Sequence, residues 1–269
     1  MKRRTGGRAA QSKAKLSGAQ RTLINRFAKT VKSELANSVR QIEAHANLLV
    51  SLNGGISLPT MRGWPISPDF GIVLTEVLDA TPYDFVVEFG SGVSTFMLAA
   101  LLGKPSAYSA LQSHVALEHL ERYQQQTLQL LGRLPDVKLT QVWHCPLVQM
   151  QPPDGSGITY SHYDCADRLR QHLLSLANPV SKVLALVDGP PGSTGRWARY
   201  PAVPLLMQLL PHADLHILRD DHNRLDEKET GQAWVKLLES QHYQVEVQTP
   251  PTEKGALLIQ ATNLSSIPA

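Results

Sequence analysis

From Leu23 onward apolar side chains return every three or four residues, at Ile24, Phe27, Val31, Leu35, Val39, Ile42, Ala46 and Leu49. That period draws one stripe along an α-helix, which the Asn53-Gly54-Gly55 turn should end. Arg21, Arg26, Lys29, Lys32 and Arg40 fall among its polar positions. A stripe of this kind commonly packs on its own domain or on a second copy, which would give a homo-oligomer. The basic flank also suits a membrane surface, a nucleic acid or a partner protein. Three prolines and a glycine break the pattern between Leu58 and Asp69, and Ser67 or Asp69 is placed to cap a helix over 70–78. Short apolar runs then alternate with amphipathic ones: strand 85–89, helix 94–102, strand 107–111, helix 115–131, strand 137–143, helix 166–177, strand 183–187, helix 201–210, strand 215–218 and helix 227–240. Strands 243–248 and 256–261 follow, joined by the turn at 250–255 with no helix between them. The expectation is an α/β, Rossmann-like fold: a mostly parallel sheet covered on both faces, closed by an antiparallel hairpin and preceded by a long helix.

Charge is divided unevenly over this pattern. Residues 1–40 hold eleven Lys or Arg against Glu34 alone, net +10, so the +3 of the whole chain leaves −7 for the other 229 residues. Any anionic partner is therefore expected at the front. Residues 1–20 are rich in Gly, Ala, Ser and Lys without an apolar block, which predicts a disordered tail rather than a secretory signal. The organisation expected is tail 1–20, helical extension 21–57 and one α/β domain over 58–269. No 18-residue apolar run suits a transmembrane segment. Cys145 and Cys165 lack metal-ligand spacing and read as reduced thiols, consistent with a cytoplasmic protein.

The chemistry concentrates at three strand ends. Phe85-Val86-Val87 runs into Glu88 and then Gly90-Ser91-Gly92, with a helix starting at Ser94 or Thr95. Glycines there let the backbone turn sharply and approach a ligand. The third glycine of a dinucleotide fingerprint is replaced by Thr95, and Glu88 would repel a pyrophosphate, so a nicotinamide oxidoreductase is disfavoured.

The run Val86-Val87-Glu88-Phe89-Gly90-Ser91-Gly92-Val93-Ser94-Thr95 resembles the first motif of class I S-adenosylmethionine-dependent methyltransferases. Gly63-Trp64, Ser67-Pro68-Asp69, Val187-Asp188-Gly189-Pro190-Pro191-Gly192 and the Asp220–Glu227 segment look like a bacterial subgroup of that family, and the resemblance spans about residues 58–261. It implies S-adenosylmethionine held by Glu88, Gly90, Ser91, Gly92, Ser94 and Thr95, with the terminal hairpin that such sheets carry. It also implies an acid after the second strand for the cofactor ribose. With that strand at 107–111 the position falls on Gln112, a departure that would weaken binding or mark a noncatalytic relative.

Asp188 and the pair Asp220-Asp221 fall at the ends of the fourth and fifth predicted strands, where open parallel sheets bind ligands. The arrangement resembles the magnesium site of catechol-type O-methyltransferases, with Asp188, Asp220 and Asp221 as candidate ligands; the bland alternative is that Asp221 caps the next helix. Without metal, Asp188, Asp221, His222 or His162 is the candidate base for an acceptor hydroxyl. Arg224 and Glu227 suit an ion pair at a helix start. The Gly- and Pro-rich loop 189–201 should overhang the site, with Arg196, Arg199 and Tyr200 as acceptor contacts. Its Asp-Gly-Pro-Pro run differs from the Asn/Asp-Pro-Pro-Tyr of amino-methylating enzymes, which favours a hydroxyl on a small molecule or glycan. A scaffold whose basic helix binds nucleic acid, a membrane surface or a protein is the competing reading.

Overall fold

The computed structural model describes residues 17–52, 56–103 and 108–264. The chain forms two compact units, Met1–Arg40 and Gln41–Ala269. Helix α1 (Gly18–Ser51) carries the expected stripe; residues 1–16 of the tail and the Asn53-Gly54-Gly55 turn lie outside the described residues. In the second unit, Leu48 and Leu52 of α1 join the core beside α2 (Pro68–Ala80). Ser67 stands before α2 but makes no side-chain cap bond, whereas Asp69 Oδ1 accepts the Phe70 N–H (2.9 Å) and the Ser67 hydroxyl (2.6 Å). Gln41 Nε2 donates to the other Asp69 oxygen at 2.7 Å.

Among the described residues nine strands follow: β1 (Phe85–Phe89), β2 (Ser113–Glu118), β3 (Thr140–His144), β4 (Leu147–Met150), β5 (Tyr160–Tyr163), β6 (Lys182–Val187), β7 (Asp214–Arg219), β8 (Tyr243–Gln248) and β9 (Leu257–Asn263). Seven of them make one sheet in the order β3-β2-β1-β6-β7-β9-β8. Its first five strands are parallel, while β9 runs antiparallel to both β7 and β8, so the mostly parallel sheet with a terminal hairpin is confirmed. Helices α3 (Val93–Leu102), α4 (Glu121–Leu131), α5 (Ala166–Ser175), α6 (Ala202–Leu209) and α7 (Leu225–Ser240) alternate with the parallel strands. Fully buried strands read as continuous apolar runs, as Phe85-Val86-Val87 and Val183 to Val187 do. Alternate residues feed two cores: Phe85, Val87 and Phe89 pack with α5, α6 and α7, whereas Val86 and Leu184 pack with α2 and α3.

Four elements differ from the sequence reading. The second strand is Ser113–Glu118 instead of 107–111, and the helix expected at 115–131 starts only at Glu121. The antiparallel pair β4 and β5 was not anticipated. No described helix is long and apolar enough to cross a membrane.

Candidate functional site

Strand order reverses between β1 and β6, and outside the carboxyl ends of these strands lies a cavity of about 910 Å³. Its β1–β2 side is shaped by the glycine turn. Gly90 has φ +118° and Gly92 φ +151°, conformations that side chains disfavour. A Cβ on Gly90 would come within 3.3 Å of the Gly189 nitrogen and 3.8 Å of Asp188 Cβ, so this turn presses against the loop after β6. A Cβ on Gly92 would meet no atom and would stand in the open cavity.

Carboxylates frame the turn. Glu88, buried on β1, has Oε1 2.8 Å from His114 Nε2, and His114 Nδ1 lies 3.0 Å from Thr140 Oγ1. Glu88 Oε2 is buried without a hydrogen-bond partner, the kind of orphaned acceptor that a ligand donor would satisfy. Glu118, the last residue of β2, accepts the Ser91 hydroxyl at 3.1 Å and the Leu120 N–H at 3.0 Å; His119 Nδ1 stands 3.0 Å away. An acid therefore does close the second strand. Gln112 is corrected from the cofactor set: it precedes β2 at the opposite end of the strand and exchanges two hydrogen bonds with the Asn178 backbone. Thr95 is corrected as well, because it is fully buried off the cavity and its hydroxyl accepts the Gly92 N–H at 3.0 Å, fixing the start of α3. Ser91 and Ser94 line the cavity as expected.

The β6–β7 side is an ion-pair network. Arg199 is 3% exposed and donates to Asp221 Oδ2 (3.0 Å), Asp188 Oδ1 (3.4 Å) and the Asp220 carbonyl (3.3 Å), with Nε 3.6 Å from Glu227 Oε1. Asp221 sits at φ +65°, which turns it back onto Arg199, and its Oδ2 also meets Arg224 Nη1 at 2.7 Å. Arg224 thus pairs with Asp221 and not with Glu227, which faces Arg199 and Arg219 instead. Asp188 lines the cavity with its side chain 28% exposed. Burial, opposed by Arg199 and reinforced by Asp220 and Asp221, pushes its carboxyl up to about 7.

Asp220 faces elsewhere. Its Oδ2 accepts from Lys254 Nζ at 2.9 Å, and burial raises its pKa against the pull of Lys254. Lys254 also donates to the Pro65 carbonyl, and Arg62 grips Glu253 with two nitrogens, which ties the Trp64 loop to the β8–β9 turn at the cavity rim. Asp188, Asp220 and Asp221 are the candidate magnesium ligands of the sequence. One oxygen of each pairs with Arg199, Arg224 or Lys254, Asp220 Oδ1 is buried without a hydrogen-bond partner, and among the described residues no group of three His, Cys, Asp or Glu side chains is arranged to hold a metal ion.

Other expected contacts are also reassigned. His222 lies outside the cavity lining with Nδ1 2.9 Å from Arg219 Nη2; burial, aided by Arg219, lowers its pKa. His162 is buried against Phe89, its ring 5.5 Å away, and burial drops its pKa to about 4. Arg196 points to Glu229 at the surface, and Tyr200 packs in the core, so of the three proposed acceptor contacts only Arg199 lines the cavity. Tyr163, unforeseen because β5 was missed, reaches the cavity beneath Gly189, where an added Cβ would strike its hydroxyl. Burial, with the Glu118 charge adding to it, holds that phenol well above its ordinary pKa and therefore protonated.

No family model and no curated protein matches the chain. Among solved structures, an O-methyltransferase from Bacillus cereus in complex with SAH is similar over 83% of this chain and 91% of its own, with TM-score 0.51 and 15% identity. A cofactor-bound protein from MTB is similar over 82% and 90%, with TM-score 0.49 and 16% identity. The first of these likenesses establishes the Rossmann-like methyltransferase fold.

Proposed function

We propose that the chain is an S-adenosylmethionine-dependent methyltransferase that O-methylates a hydroxyl of a small molecule or glycan. The observation that carries this reading is the juxtaposition, across one cavity, of the glycine turn and the Asp188 carboxylate that Arg199 holds. The motif resemblance and the shared fold support the cofactor, and the residues fit it. Glu88 offers an orphaned acceptor for an ammonium group, Gly90 and Gly92 leave room for close approach, and Glu118 stands where the family places its ribose-binding acid. A cavity of about 910 Å³ accommodates a nucleoside-sized ligand with an acceptor beside it. With Glu118 in that position, the noncatalytic reading loses the departure at Gln112 on which it rested.

When bound, the cofactor supplies an electrophilic methyl carbon. The protein's part is positioning and proton removal. Asp188, ionised in part at neutral pH, takes the proton of the acceptor hydroxyl as the oxygen attacks. Arg199 holds that carboxylate in place and, bridging to Asp221 and Glu227, keeps the wall of the acceptor side rigid. The test is transfer of labelled methyl from S-adenosylmethionine to a panel of phenols, catechols and glycosides. Alkali-stable ether methylation that disappears in Asp188→Asn is expected; labelling of amines alone, or of hydroxyls equally by the mutant, would overturn the reading.

A further inference from the structure

Along residues 18–40 of α1 the large apolar side chains gather on one side, where Gln20, Glu34 and Ser38 interrupt them. At roughly 100° per residue, Leu23, Ile24, Phe27, Val31, Leu35 and Val39 fall within an arc of about 160°, and Arg21, Arg26, Lys29, Lys32 and Arg40 lie along its edge and on the opposite face. From residue 17 to residue 36 every position is exposed, including Leu23 at 69%, Phe27 at 70% and Leu35 at 65%. Further along the helix, Gln41, Ala44 and Leu48 are the residues that become buried, while Ile42 (70%) and Val50 (76%) remain exposed. Within residues 41–50, therefore, Ile42, Leu49 and Val50 lie off the face that Gln41, Ala44 and Leu48 bury.

We infer that α1 is an interfacial helix that lays its apolar arc into the surface of a membrane rich in anionic phospholipid. Three features select this occupant. The arc is broad, whereas a coiled-coil seam is a narrow 3.5-residue repeat. A second copy would also bring like charges together, since residues 1–40 carry net +10. A nucleic acid would satisfy the cations but leave Phe27, Val31 and Leu35 facing water. Only an anionic bilayer meets both faces at once, taking the aliphatic and aromatic side chains into its acyl boundary and the Lys and Arg heads among its phosphates.

The test is co-sedimentation of the full chain with vesicles of phosphatidylcholine alone and of phosphatidylcholine mixed with phosphatidylglycerol. Binding to the mixed vesicles at least roughly tenfold stronger than to the neutral ones, and declining with added salt, is expected from several basic contacts. Phe27→Ser with Leu35→Ser, and separately Lys29→Glu with Lys32→Glu, should each remove most of that binding. All four side chains are exposed, and a circular-dichroism spectrum reports whether the helix persists. Absence of binding to mixed vesicles, or equal binding to both kinds, overturns the inference. So does a stable dimer in sedimentation equilibrium that Phe27→Ser with Leu35→Ser abolishes while vesicles go unbound, which would assign the arc to a second copy. RNA retardation without vesicle binding would assign the charge to nucleic acid.

Discussion

Around the cavity the β1–β2 side is shaped by backbone: two glycines at positive φ, the start of α3, and carboxylates at the strand ends that meet Ser91 and His114. The β6–β7 side is shaped by side chains, with one buried guanidinium gathering Asp188, Asp221 and Glu227. The difference separates two tasks. A backbone surface with unfilled acceptors admits a constant ligand, whereas a charge network tunes the pKa of a reacting group. Mutations on the two sides should therefore fail in different ways.

The largest effect is expected from Asp188→Asn. Loss of a general base should lower turnover by about 10²–10⁴-fold while cofactor affinity stays within about threefold, and the wild-type rate should rise with pH through about 7 as the carboxyl ionises. A mutant that turns over normally returns Asp188 to a purely structural role. Next comes Gly92→Val, which places a branched side chain in open cavity space at φ +151°; affinity for S-adenosylhomocysteine should fall by about 100-fold in calorimetry. Unchanged affinity would detach the glycine turn from the cofactor. Arg199→Met leaves Asp221 and Glu227 buried without their shared cation and should cost about 3–5 kcal/mol, read from the urea midpoint. A loss under about 1 kcal/mol would mean that the network is solvated and cannot set the Asp188 pKa.

The smallest effect concerns stability against pH. A carboxyl whose folded pKa exceeds its unfolded value binds more protons when folded, so its contribution falls as pH rises from the ordinary carboxylate range to about 7. Asp188→Asn should accordingly raise Tm relative to wild type at pH 8, with the gain shrinking toward pH 4. An opposite trend would show that Arg199 depresses the Asp188 pKa more than burial raises it.

The same contrast governs what the sequence made legible. Strand 85–89 and the glycine turn were readable because a buried parallel strand and positive φ demand particular residue types at contiguous positions. Glu118 escaped because Val115-Ala116-Leu117 continues into a helical period, and this drew the strand forward and left Gln112 in its place. The pair β4–β5 is four residues per strand and half-exposed on β4, too short to show an alternation, so Tyr163 was missed with it. On the β6–β7 side the acids were found but not their partners. Arg199, Arg224 and Lys254 come from separate parts of the chain, and only the tertiary structure reveals which cation meets which acid. The stripe on α1 was plain in the sequence, whereas its exposure was not.

The division into a cofactor side and an acceptor side is tested most directly by titrating S-adenosylhomocysteine calorimetrically into wild type, Gly92→Val and Asp188→Asn. Saturable binding of one equivalent to wild type and Asp188→Asn, with dissociation constants within about threefold of each other, and its loss in Gly92→Val is the predicted result. No heat with wild type, or equal loss in both mutants, would contradict it.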